Sequence, residues 1–402
     1  MFMGFAYKFK KTMHLTIWEF AVAIAAFVVY KILEVTVFHD LDTPVPIYFI
    51  IFGFVIGTWL AFRPSEWAVE GLDSGAKYVG LSDYVAGTLS SLASNLPEAV
   101  IAIFLITQGR QLMAVITVLS AAGFNTIILG LAIIIATLKR KGSVDVPEDL
   151  AKKETAIIRW AIVAMSITVV FGFVEYFQVD DISEAILAKP IAGLLAASYV
   201  IYLIYVIAVK ENNKKIVEGM KEESSEEIEK NSTTQEKDTK LDSHKHERLP
   251  IPLTIILLVL GFVGIFFGGE TLTMSVTEML DPARGANISE IGAALILGAA
   301  GAVPEHGIAI ISAAKDDIEV GIGNAMGGIL QSALLIFGIL GVIVTIQLHQ
   351  FILLQLAAIA GALWFVKRCI QDGKFDTFEG FMIILLQVLV FVVLFVEIGQ
   401  IS

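Results

Sequence analysis

The sequence predicts an all-α polytopic membrane protein with 11 transmembrane helices, arranged 1 + 5 + 5 as one extra helix and two inverted-topology repeats. Apolar residues make up 56% of the 402 positions and charged residues only 17%. The mean hydropathy is +0.78, far from that of soluble globular proteins. Apolar stretches of bilayer length recur along the chain, and one charged segment divides them.

The N-terminal segment, residues 1–44, contains the extra helix. Its basic start includes Lys8, Lys10 and Lys11, and an apolar run from Leu15 to Leu33 follows. That run has no small-residue cleavage site, so we expect a retained span rather than a removed signal peptide. The first group of five occupies residues 45–209, with apolar segments at 45–62, 82–107, 112–138, 156–176 and 186–209.

Residues 210–249 are mainly polar and charged rather than apolar, with clustered glutamates between Glu222 and Glu229 and interspersed lysines. Such a segment buries too little apolar surface to order itself, so we expect an acidic cytoplasmic linker, either a tether or a calcium-responsive element. The second group, residues 250–402, has apolar segments at 251–274, 288–314, 318–345, 349–367 and 378–400. Because each group has an odd number of spans, the second inserts upside down, which predicts an inverted repeat.

Lysines and arginines in the loops predict the orientation, because cytoplasmic loops are enriched in them. With the N-terminus in the cytoplasm, the basic stretches at 139–141 and 367–368 lie inside. Acidic loop residues such as Asp180 and Asp181 then lie outside, as does the C-terminus. The chain has no recognisable targeting extension, so we expect a multi-pass protein of the cell membrane.

Composition excludes several other classes. The net charge of −12 lies mostly in loops and in the linker and gives no reason to expect nucleic-acid binding. Cys369 is the only cysteine, which excludes an internal disulfide and a cysteine metal cage. The sequence has neither a phosphate-binding loop nor the ligand spacing of a zinc protease. We therefore expect a secondary transporter without a cofactor rather than an enzyme.

Two Pro-Glu pairs lie within apolar segments, at Pro97-Glu98 and Pro304-Glu305. The proline removes a helical hydrogen bond, and a carboxylate near the bilayer midplane costs roughly 3 kcal/mol on insertion scales. Lipid-facing structure does not tolerate that combination. We therefore expect the two glutamates to meet at an interior cation site; the alternative is a pair of protonated structural acids.

Each glutamate is followed at nearly the same spacing by an amide in a stretch rich in small residues. Asn125 follows Glu98, and Gln331 follows Glu305. An amide oxygen beside a carboxylate suits a hard cation such as Ca²⁺, although an interhelical hydrogen bond is the alternative for both amides.

Further candidates surround the two glutamates. The prolines free backbone carbonyls around Ser94 and Asn95, and around Gly301 and Ala302. Asn324, like Ser94 and Asn95, is either a further ligand or a packing residue. His306 either shuttles protons or braces Glu305.

The chain resembles the calcium/cation antiporter superfamily across residues 45–400. Asn95-Leu96-Pro97-Glu98 and the later Asn125 are similar to the motifs of the family's first repeat. Pro304-Glu305-His306, followed by the glycine-rich run 323–331 that ends in glutamine, looks most like the calcium/proton exchanger branch. The resemblance implies two intramembrane repeats that form one transport site.

The sequence therefore predicts a calcium/proton antiporter working by alternating access, with Glu98 and Glu305 binding Ca²⁺ or protons. Because residue 331 is a neutral glutamine, one Ca²⁺ or two protons neutralise the two carboxylates, whereas desolvation disfavours the empty dianion. Sodium/calcium exchange is the main alternative, and a passive cation channel is a weaker one. Selectivity against Mn²⁺, stoichiometry and assembly into a homo-oligomer stay open. The expected partners are Ca²⁺, protons and the lipid bilayer.

Overall fold

The structure is a computed structural model that describes residues 17–37, 45–80, 92–146, 155–178, 185–205, 208, 249–280, 288–315 and 318–401. Most of these residues are helical, as the long apolar segments predict. The predictions for the basic N-terminal residues, for the linker up to residue 248 and for Asp180 and Asp181 lie outside the described residues.

Before the linker, the described residues form a helix in each of the predicted apolar segments. These helices are α1 (Ile17–Thr36), α2 (Ile47–Tyr78), α3 (Leu96–Thr107), α4 (Gln111–Lys139), α5 (Thr155–Gln178) and α6 (Lys189–Tyr205). α3 and α4 are joined by a short turn in which Gly109 adopts a φ of +76°, a left-handed conformation that glycine accepts without strain.

The helices after the linker include one sharp break. They are α7 (Ile251–Thr277), α8 (Glu290–Gly301), α9 (Val303–Ala314), α10 (Ile318–Leu330), α11 (Phe337–Ile343), α12 (Gln350–Asp372) and α13 (Thr377–Ile401). A 3₁₀ turn, Glu278–Leu280, follows α7, and a π-helical segment, Gln331–Ile336, joins α10 to α11. The Ser289 hydroxyl caps α8 by accepting a 3.1 Å hydrogen bond from the Gly292 amide.

Two short strands join distant loops. β1 (Val144–Asp145), just after α4, pairs antiparallel with β2 (Lys374–Phe375), which lies between α12 and α13. At another place in the chain, Ile186 forms an isolated antiparallel bridge with Gln347. These pairings tie the first half of the chain to the second.

By length and composition, six of the described helices can cross a membrane. The pair α8 and α9 makes a seventh span if it is counted as one, bent by 48°. The protein is thus a polytopic membrane protein. The remaining predicted spans coincide with α1, α3, α6 and α13, so the count of eleven stays a prediction.

Small residues bring helices close enough to build a compact interior. A Cβ atom at Gly268 of α7 would lie 2.5 Å from the Ala61 backbone nitrogen of α2, and one at Gly261 would lie 2.7 Å from that of Ala68. α4 is the central helix and packs against α3, α8, α9, α10 and α13. Short helices that start inside the molecule can therefore present their first residues to α4.

Candidate cation site

The two glutamates lie in the first turns of two helices that begin inside the molecule. Glu98 is in the first turn of α3 and Glu305 in that of α9, each directly after a proline. Proline fits there because the first-turn N–H groups have no partner within the helix. Both glutamates are fully buried, and the partial positive charge of a helix start favours a carboxylate.

The break between α8 and α9 brings the second half of the chain against Glu98. A Cβ atom at Gly301, the last residue of α8, would lie 3.1 Å from Glu98 Cγ, so the missing side chain permits the close approach. The carbonyls of Asn95 and Ala302 accept hydrogen bonds from the amides of Ala99 and His306, at 3.4 and 3.2 Å. Each carbonyl oxygen keeps a second lone pair that is able to bind a cation. The ligand role of these carbonyls stays a prediction.

The two predicted amides lie at the site, each beside groups of the other half. The Asn125 amide donates to Glu305 Oε2 at 3.4 Å. Asn95 Nδ2 donates to Gln331 Oε1. Gly328 leaves room for Asn125, because a Cβ atom there would collide with Asn125 Nδ2. Both glutamates thus have neighbours from the opposite half of the chain.

Ser332 is a site residue that the sequence analysis missed. Its hydroxyl donates to Glu98 Oε2 at 2.5 Å, and the Ser332 side chain is fully buried. It lies in the π-helical segment directly after Gln331. The available signal was the repeated pattern of an amide followed by a hydroxyl, in Asn125-Thr126 and in Gln331-Ser332.

The other candidates differ in how closely they approach the glutamates. The Ser94 hydroxyl hydrogen-bonds to the Glu305 side chain. The Asn324 amide reaches the backbone carbonyl of Glu305 at 3.2 Å and so contacts the turn that carries the carboxylate. His306 Nε2 is buried and has no hydrogen-bonding partner among the described residues.

Three buried oxygens define the chemistry of the site. Glu98 Oε1, Glu305 Oε1 and Asn125 Oδ1 accept no hydrogen bond from any described residue. The charges of Glu98 and Glu305 are also close enough to interact. Buried acceptors without donors are costly, and a cation or added protons would remove that cost. The arrangement therefore suits a hard cation or protons.

Contacts at the two ends of α4 show how the helices run. At its start, Arg110 Nη1 lies 2.7 Å from Glu290 Oε1, at the start of α8. At its end, Lys139 Nζ donates to the Ala314 carbonyl, at the end of α9, at 2.7 Å. α8 and α9 therefore run parallel to α4, whereas α3 runs back along it. α3 and α9 thus point in opposite directions, and each begins at the site.

Comparison with known proteins gives a family and a fold. Over residues 48–208 and 253–396 the sequence matches the family described as sodium/calcium exchanger protein. No curated protein matches the sequence.

Three solved structures share this fold. The structure described as that of the H⁺/Ca²⁺ exchanger CAX has a TM-score of 0.63 at 16% identity, covering 91% of this chain and 86% of its own. Native YfkE gives 0.59 at 19% identity, with 92% and 97% covered. The sodium-calcium exchanger NCX_Mj, soaked with Na⁺ and Sr²⁺, gives 0.56 at 14% identity, with 86% and 99% covered. At these identities the similarity establishes the fold.

Proposed function

The chain belongs to the sodium/calcium exchanger protein family, a family of calcium/cation antiporters, and we propose that it exchanges cytoplasmic Ca²⁺ for H⁺. The observation that carries the proposal is the set of buried oxygens to which no described residue donates a hydrogen bond, Glu98 Oε1, Glu305 Oε1 and Asn125 Oδ1. Ca²⁺ takes six to eight oxygen ligands, and carboxylates and amides are the kinds that it prefers.

Charge balance makes the exchange obligatory. The two carboxylates carry two negative charges, which one Ca²⁺ or two protons neutralise. The site is neutral when it binds either Ca²⁺ or two protons, so it can pass through the occluded state, which is closed to both sides of the membrane. Desolvation of two negative charges makes that state unfavourable for the empty site. Because the two carboxylates interact, the protons bind to the pair rather than to independent groups.

In this proposal the site residues have distinct roles. Glu98 and Glu305 bind Ca²⁺ or protons in turn, with Asn125, Gln331, Ser94 and Asn95 as further oxygen ligands. Carbonyls of Gly301 and Ala302 are secondary ligands, and Asn324 supports the turn at Glu305. His306 carries protons to or from the site, for which its Nε2 is suited because no described residue forms a hydrogen bond with it.

Sodium/calcium exchange is the second candidate, because NCX_Mj, a sodium-calcium exchanger, has the same fold. Binding several Na⁺ ions benefits from more negative charge. Within the described residues, no group of three or more histidine, cysteine, aspartate and glutamate side chains is placed to hold a metal ion. Position 331 supplies a neutral amide. Two carboxylates therefore favour protons as the counter-ion.

We propose an architecture of eleven spans in two inverted repeats, 45–209 and 250–402, after the extra helix of residues 1–44. The opposite directions of α3 and α9 support it, because each carries its glutamate in the first turn. The family match, which covers one range on each side of the linker, supports it as well. Residues 210–249 are the cytoplasmic linker, and the N-terminus lies in the cytoplasm of a cell with the C-terminus outside.

The test is the counter-ion dependence of calcium flux in reconstituted liposomes. An imposed proton gradient should drive ⁴⁵Ca²⁺ uptake in the absence of Na⁺, and Glu98→Gln or Glu305→Gln should abolish it, because each removes one of the two charges that balance Ca²⁺. Uptake driven by a Na⁺ gradient at clamped pH would contradict proton coupling. Undiminished uptake by either variant would remove that glutamate from the site.

A further inference from the structure

The two halves of the chain carry the same dipeptide pattern at the site but use it differently. Asn125-Thr126 lies in α4, and Gln331-Ser332 lies in the π-helical segment between α10 and α11. In each pair the amide comes first and the hydroxyl second. Both hydroxyl residues are fully buried.

The two hydroxyls have different acceptors. Thr126 Oγ1 donates to the Ala122 carbonyl, four residues back, at 2.9 Å. This is the usual local bond of a threonine inside an α-helix. Ser332 Oγ instead donates across the two halves to Glu98 Oε2 at 2.5 Å. Thr126 therefore offers no hydroxyl proton to Glu305, whereas Ser332 offers one to Glu98.

The backbone also differs between the two pairs. Asn125-Thr126 is α-helical, whereas Gln331-Ser332 opens a π-helical segment, in which hydrogen bonds run between residues i and i+5. Gln331 and Ser332 both reach groups of α3 or the residue before it. π-Helical turns often occur at functional sites.

We infer that Ser332 is a positioning residue, which holds one oxygen of Glu98 and directs the other, Oε1, into the cation site. The inference deepens the proposed function and rests on it. Held in this way, Glu98 does not have to be reoriented when Ca²⁺ binds. Ser332 therefore supports calcium binding by fixing the orientation of the Glu98 carboxylate.

The test compares Ser332→Ala, Ser332→Thr and Thr126→Ala in calcium binding to the purified full chain, measured by calorimetry at neutral pH. Ser332→Ala should raise the dissociation constant for Ca²⁺ about tenfold, the size expected for a lost hydrogen bond to a charged group.

The controls separate positioning from packing. Ser332→Thr keeps a hydroxyl and should restore the affinity for Ca²⁺, whereas Thr126→Ala should leave it unchanged. Wild-type affinity in Ser332→Ala would overturn the role of Ser332, even if Glu98→Gln abolishes transport. Binding does not depend on which gradient drives transport, so sodium coupling would refute the proposed exchange without deciding the role of Ser332.

Discussion

In the proposed site Gln331 is a neutral residue beside two carboxylates, and its amide oxygen accepts a hydrogen bond from Asn95. Gln331→Glu has nearly the same shape and keeps that acceptor, but it adds a third carboxylate. With Ca²⁺ bound, the site would then retain one negative charge, at a cost of roughly 3 kcal/mol in the membrane interior. We expect proton-driven calcium uptake to fall by up to about a hundredfold at alkaline pH. Acidic pH should restore part of it, because protonation of the introduced carboxylate neutralises the extra charge.

The measurement is the initial rate of ⁴⁵Ca²⁺ uptake into proteoliposomes as a function of pH. Gln331→Asn is the matched control, because it stays neutral but shortens the side chain that meets Asn95. Equal losses in both variants, at every pH, would mean that the contact with Asn95 matters rather than the charge.

Single residues of the site were predictable to different degrees. Glu98 and Glu305 stand out because a proline-glutamate pair inside an apolar segment is energetically unfavourable in contact with lipid. Asn125 follows from the spacing that the two halves share. The repeated amide-hydroxyl pattern does not by itself identify Ser332, since its counterpart Thr126 bonds within its own helix whereas Ser332 bonds to Glu98. The sequence also cannot tell that the Asn324 amide contacts a backbone carbonyl.

At the scale of elements, the approach of α8 to α4 places the end of α8 at the site. A Cβ atom at Gly298 would lie 2.7 Å from the Thr117 carbonyl oxygen and 2.8 Å from Ser120 Cβ. Gly298→Ala must therefore push α8 away from α4, at a cost of about 1–3 kcal/mol. Gly301, one turn later in α8, lies against Glu98, so a displacement of α8 would also change this contact. We expect a lower unfolding temperature in detergent together with reduced calcium uptake.

Gly323→Ala in α10 is the control for that variant. A Cβ atom at Gly323 meets no atom within 4 Å, so this alanine should leave uptake unchanged and the unfolding temperature equal or higher. If Gly298→Ala kept wild-type stability and uptake, α8 and α4 would tolerate a wider spacing than their packing indicates.

The apolar segments predicted the positions of the helices, but some helices extend beyond the predicted ends. The segment predicted at 45–62 is the start of α2, which continues to Tyr78. Its second part carries charged residues that lower hydropathy yet support a helix, with ion pairs of 2.9 Å between Arg63 and Glu66 and 2.7 Å between Asp73 and Lys77. The predicted break at Pro304 coincides with the 48° bend, because proline both starts α9 and prevents α8 from continuing.

For the whole molecule, the loop contacts provide an independent argument for which loops lie on the same side of the membrane. Each contact between distant loops joins two loops that the charge pattern assigns to the same side. Contacts predicted inside are β1 with β2, Lys139 with Ala314, and Tyr78 with Leu249. Contacts predicted outside are Arg110 with Glu290 and Ile186 with Gln347. An error of one span between two contacting loops would have placed that pair on opposite sides of the membrane.

Sidedness can be tested with two single-cysteine variants, because Cys369 is the only natural cysteine. In a Cys369→Ala background, Ser143→Cys lies in the loop after α4, predicted inside, and Thr345→Cys lies in the loop before α12, predicted outside. Both positions are exposed, and the proposal places five spans between them, an odd number. A membrane-impermeant maleimide added to intact cells should label Thr345→Cys alone and reach Ser143→Cys after permeabilisation. Labelling of both from one side would require an even number of crossings between these loops, and the inverted arrangement of the two halves would then be wrong.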